Sequence, residues 1–149
     1  VTRIVCIGNS LIPGDAAGSH VYERLLRAGL PHGVELVEGG LAGLNLLPFF
    51  DDGRRVVLVD TVSGLAASGD VELFDCAPAL GRTDGAYYGH GGGLSCLFGV
   101  LPAVADGPLP EILLVGMERP AGESAVQTAA DMCLDLAWGG RSLEPRPLS

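Results

Sequence analysis

The chain contains no lysine: all nine basic residues are arginine, set against eighteen acidic ones, for a net charge of −9. A protein that neutralises phosphates needs clustered cations, so this balance argues against nucleic-acid binding. It argues equally against an anionic membrane surface. Without lysine there is no GxxxxGK[ST] phosphate loop. GxGxxG is absent too, because the first loop reads Gly8-Asn9-Ser10 and runs long before Gly14 and Gly18. Neither the GxSxG nucleophile elbow nor the HExxH zinc motif occurs, which removes the ordinary esterase and helix-borne zinc-protease readings.

No apolar run reaches the ~18 residues of a membrane helix. The opening stretch, residues 1–8, is too short for a signal peptide and lacks a small-residue cleavage site. It is read as a first strand. The four cysteines, Cys6, Cys76, Cys96 and Cys133, include no CxxC pair. They are expected to be reduced, buried, small hydrophobes, in keeping with a cytoplasmic location.

What the chain does have is alternation. Hydrophobic residues make up 48% of its 149 positions, enough for one globular domain. Residues 3–7, 34–37, 54–60 and 112–115 read as strands, and the continuous apolar stretches within the first, third and fourth suit strands buried in the sheet. Residues 70–74 alternate and suit an edge strand. Helical spacing predicts helices over residues 16–28, 93–104 and 123–138, with a short helix at 44–50. Val21, Leu25 and Leu26 are expected on the inner face of the first helix, and Ala129, Ala130, Met132, Cys133 and Leu136 on that of the last. Strands alternating with helices predict an α/β fold: a twisted, mostly parallel five-stranded sheet with helices on both faces, a three-layer αβα arrangement. The domain is expected to span residues 1–138. Residues 139–149, rich in glycine, proline and serine, are expected to form a mobile tail.

In such sheets ligands sit beyond the carboxyl ends of the strands. Three residues that can carry chemistry fall there: Asp15 closing the first strand-to-helix loop, Asp60 ending the strongest apolar run, and His90 in a glycine-rich stretch before a helix. Two carboxylates and an imidazole suit nickel or zinc and leave coordination positions open. Each also has a plainer structural role. Asp15 fits an N-cap, Asp60 a polar strand end, and His90 a turn. His20 and His32 read as surface or turn residues. Gly91 to Gly93 could present backbone N–H groups to an anion, as in an unrelated small-ligand domain.

The ordered set of segments resembles the hydrogenase maturation endopeptidases. The resemblance is carried by Ile7-Gly8-Asn9-Ser10-Leu11-Ile12-Pro13-Gly14-Asp15, by Glu38-Gly39-Gly40-Leu41-Ala42-Gly43, by Val56-Val57-Leu58-Val59-Asp60 and by Gly89-His90-Gly91-Gly92-Gly93-Leu94. The strand at 112–116 and the last helix follow in the same order. The resemblance implies a peptidase that removes the C-terminal extension of a nickel–iron hydrogenase large subunit precursor once nickel has been inserted. It implies Asp15, Asp60 and His90 as metal ligands, acting on catalysis through the metal, and it assigns no separate nucleophile. The nickel is then supplied by the precursor, and the free protein, expected to be a monomer, needs none. Three places depart from the family pattern, one of them Leu41, where the family has threonine after Gly-Gly. Gly14 stands where the family has a first acid, and Met117-Glu118-Arg119-Pro120 where it has an apolar residue and proline. The departure at Gly14 motivates an alternative, a catalytically inactive module of the same fold that binds or chaperones a metalloprotein.

Overall fold

The computed structural model describes residues 2–82, 93–139 and 143–148. Six strands form one sheet: β1 (Thr2–Ile7), β2 (Val34–Gly40), β3 (Arg55–Val62), β4 (Val71–Asp75), β5 (Ile112–Glu118) and β6 (Arg146–Pro147). Their spatial order is β2-β1-β3-β5-β4-β6. β2, β1, β3 and β5 run parallel, and β4 is antiparallel to β5. The central strands β1, β3 and β5 are buried almost throughout, because their uninterrupted Ile, Val and Leu runs must be covered on both faces.

The helices α1 (Ala17–Ala28), α2 (Gly93–Val104) and α3 (Glu123–Trp138) make the outer layers. Ile4, Val57, Val59 and Leu113 share one core with Val21 and Leu25 of α1 and with Ala129 and Cys133 of α3. Val5, Leu58 and Leu114 share the other with Leu94, Leu97 and Phe98 of α2 and with Leu46 and Phe50 of a 3-10 turn over Leu44–Phe50. Leu26 is exposed and not on the inner face, since one helical step from Leu25 rotates it by about 100° away from the sheet. Cys6, Cys76 and Cys133 are buried free thiols as expected, but Cys96 is exposed.

The sheet has six strands where five were expected, and the sixth comes from the tail. Arg146–Pro147 pairs in parallel with β4, the Arg146 guanidinium lies 4.9 Å from the centre of the Phe74 ring, and Leu148 is fully buried in the α2-side core. Residues 146–148 are thus held by a hydrophobic anchor, a stacked cation and ladder hydrogen bonds, a placement that composition does not suggest. Among the described residues no helix is long and apolar enough to cross a membrane.

α1 sits unusually close over β1. A Cβ on Gly18 would lie 1.8 Å from the Ile7 carbonyl oxygen, so only glycine allows the helix to start there. That approach sets the first loop against the carboxyl end of the sheet.

Candidate functional site

The loop between β1 and α1 is held by its own backbone. Gly8 N–H donates to the Gly40 carbonyl (2.9 Å), Asn9 N–H to that of Asp15 (2.8 Å), and Asp15 N–H to that of Ile12 (2.9 Å). The Asn9 side chain accepts from Leu11 N–H at 2.9 Å, the short Asx link that favours asparagine in such loops. These bonds fold residues 13–15 into a 3-10 turn and bury Asp15 to 3% exposure. The N-cap of α1 is Ala16, with no side-chain cap bond. The capping role open to Asp15 is therefore not what it does.

Asp60 is not a strand end either. β3 continues through Thr61 to Val62, because β5 continues beside it and pairs Val62 with Glu118. Asp60 is 1% exposed, opposite Gly116 in the register. Its Oδ1 accepts the Thr61 N–H at 2.8 Å. Its Oδ2 is buried without a hydrogen-bond partner among the described residues, a costly state for a polar atom. Burial pushes the Asp60 carboxyl up to about 8; the Thr61 N–H opposes this, the Asp15 charge adds to it, and the Arg119 charge opposes it. Asp15 and Asp60 are thus within electrostatic reach of one another. His90 lies outside the described residues, as do Gly91 and Gly92 of the anion-binding alternative. Among the described residues no group of three histidine, cysteine or acidic side chains is placed to hold a metal. The two aspartates fit one in chemistry: an orphaned buried carboxylate oxygen within electrostatic reach of a second buried carboxylate offers the oxygen donors that a divalent cation takes.

Sequence reasoning overlooked the residues that organise this edge. Arg119 donates from Nε (3.2 Å) and Nη2 (3.0 Å) to Thr61 Oγ1, and its Nη2 is 3.7 Å from Asp15 Oδ1. The Glu118 carboxylate accepts three backbone N–H groups, from Gly64 (2.9 Å), Leu65 (2.7 Å) and Ala66 (2.9 Å). Burial alone would raise Glu118, but these three bonds and the Arg119 charge hold it below the usual carboxylate range. The one available signal was a charged pair, Glu118-Arg119, at the end of a buried strand and before a proline. A cleft of about 350 Å³ opens nearby between residues 8–10 and 38–41, with Ser19 on its wall.

Sheet order, flanking helices and the buried aspartate on β3 define an α/β fold that has been seen before: the chain has the fold of the hydrogenase maturation endopeptidases. The hydrogenase maturating endopeptidase HybD from E. coli superposes with a TM-score of 0.71 at 22% identity, over 93% of each chain. The [NiFe] hydrogenase maturation protease HybD from Thermococcus kodakarensis gives 0.68 at 20% identity, over 91% of this chain and 98% of that one. An endopeptidase from Escherichia coli gives 0.66 at 24% identity, over 96% and 97%. No family model and no curated protein sequence matches the chain.

Proposed function

We propose that this chain is an endopeptidase that removes the C-terminal extension from the large subunit precursor of a nickel–iron hydrogenase after nickel insertion. The observation that carries the reading is Asp60. It is a buried carboxylate with an unpartnered oxygen, close to the buried Asp15, at the carboxyl edge of a fold shared with hydrogenase maturation endopeptidases. Burying such a group costs stability, and perturbed carboxylates of this kind concentrate at functional sites.

In this reading nickel is part of the substrate. Held in the precursor, it is met by Asp15, Asp60 and His90, and the contact fixes the nearby scissile peptide in position. Asp15 is held rigidly by the loop bonds from Asn9 and Ile12, and Asp60 by its place between β1 and β5, so neither needs to reorganise on docking. The same edge offers a protein partner something to grip. Leu11 and Ile12 on the first loop and Leu41 and Leu44 after β2 are exposed, Leu11 to 88%, and clustered exposed apolar side chains mark interaction surfaces. The protein is proposed to act as a cytoplasmic monomer.

The test is to mix the purified protein with large subunit precursors, with and without nickel loaded, and to weigh the products by mass spectrometry. Loss of a short C-terminal peptide from the nickel-loaded form alone is the expected result. Binding of precursor without cleavage would support the non-catalytic alternative.

A further inference from the structure

The site carries a cation of its own. Arg119 follows β5 directly, and its backbone N–H donates to the Val62 carbonyl at 3.0 Å, which fixes where its side chain begins. Thr61 Oγ1 holds the guanidinium through two bonds, at 3.2 and 3.0 Å. Thr61 is the residue after Asp60, and the same Nη2 lies 3.7 Å from Asp15 Oδ1. One hydroxyl therefore holds a permanent positive charge against Asp15 and within electrostatic reach of Asp60. The Arg119 side chain is 31% exposed while that of Asp15 is 3% exposed, so the guanidinium has solvent to swing into and the aspartate does not.

We infer that Arg119 is the resident counter-cation of the Asp15–Asp60 pair, which a metal must displace in order to bind, and that it biases the site against free divalent ions and toward a metal fixed in a docked protein. The inference rests on the metal reading of Asp15 and Asp60 proposed above. Its physical basis is competition. A dication arriving at the pair meets repulsion from the guanidinium, and to relieve it must break the Thr61 bonds and the Asp15 contact. A free ion at micromolar concentration has little to set against that. A metal carried by a docked partner is presented at an effective concentration in the millimolar range or above, and displaces the arginine without a change in its intrinsic affinity. Arg119 is in this sense a specificity-determining residue and takes no part in bond cleavage.

The experiment is isothermal titration of the metal-free full chain with nickel ions alone, for wild type, Arg119→Gln, Arg119→Lys, Thr61→Val, Asp60→Asn and the Arg119→Gln/Asp60→Asn double variant. Wild type is expected to bind weakly, and Arg119→Gln at least tenfold more tightly. Arg119→Lys keeps the charge and stays within about threefold of wild type, a rescue that a purely scaffolding arginine would not produce. Thr61→Val frees the guanidinium and gives a smaller gain, which tests the idea even if Arg119→Gln folds poorly. The double variant is expected to lose the whole gain. Equal or weaker nickel binding by Arg119→Gln, with binding still lowered by Asp60→Asn, overturns the role of Arg119 and leaves the metal reading in place. A double variant that binds as tightly as Arg119→Gln alone overturns both, because the metal would then not be held by Asp60.

Discussion

Replacing Asp60 by asparagine is expected to stabilise the metal-free protein at neutral pH while removing a carboxylate on which the proposed function depends. In the folded chain burial, partly opposed by the Thr61 N–H, raised further by Asp15 and lowered by Arg119, pushes the Asp60 carboxyl to about 8, from an ordinary value of 3.8. Between these two values the unfolded chain is ionised and the folded chain holds the proton. Stability associated with this group is therefore fully present below pH 3.8 and is lost as the pH rises through about 8, at about 1.4 kcal/mol per unit. At pH 7 the loss amounts to about 4 kcal/mol. Asparagine has no charge to neutralise. Its oxygen can accept the Thr61 N–H, and its unpartnered amide hydrogens cost about what the unpartnered carboxyl hydrogen costs. The variant should gain about 2–4 kcal/mol at pH 7, with the gain shrinking toward zero near pH 4. Urea unfolding of both proteins at pH 5, 6 and 7, with chelator present, measures this directly. If Asp60→Asn were less stable at all three, or if the difference did not grow with pH, the account of Asp60 as a strained buried acid would be wrong.

Further outcomes follow from the packing. Gly18→Ala forces a Cβ to within 1.8 Å of the Ile7 carbonyl; overpacking of about 3 kcal/mol, offset by about 1 kcal/mol of helix propensity, should lower Tm by about 4–8 °C. Gly14→Ala, with nothing within 4 Å, should leave Tm unchanged, and equal effects at the two sites in calorimetry would contradict the close approach of α1 to β1. Glu118→Ala strips the 64–66 segment of its acceptor and should cost about 2–3 kcal/mol at pH 7. Because Glu118 titrates below its ordinary 4.5 when folded, its stabilisation is present above that value and fades as the pH falls below it, so the two denaturation curves should converge in acid. Leu148→Ala should destabilise by about 2–4 kcal/mol, measurable by urea unfolding, whereas a truly mobile tail would show no change.

The central sheet was readable because residues 56–59 and 112–115 are unbroken apolar runs, and a strand buried on both faces needs nothing else. The tail strand was not. Arg146 and Pro147 have no strand signature of their own, and what places them is Phe74 under the guanidinium and a core pocket for Leu148, both distant in sequence. The run of valines and leucine put Asp60 on a strand, but as its last residue, and its burial was not visible: β3 outlasts it only because β5 extends to Glu118. The rule that ligands gather beyond strand ends is what drew attention to Asp15 and Asp60. Arg119 did not follow, since nothing local to a Glu-Arg-Pro triplet says that the guanidinium will face Thr61 and Asp15. His90 falls outside the described residues, and its part in the site rests on the family resemblance alone.

The most direct test of the central claim is to give nickel-loaded large subunit precursor to wild type, Asp15→Asn and His90→Ala in parallel, after confirming by thermal unfolding that all three are folded. The account predicts that wild type releases the C-terminal peptide and that both variants lose at least a hundredfold in rate, a loss of about 3 kcal/mol in transition-state stabilisation. Normal processing by either variant would contradict it.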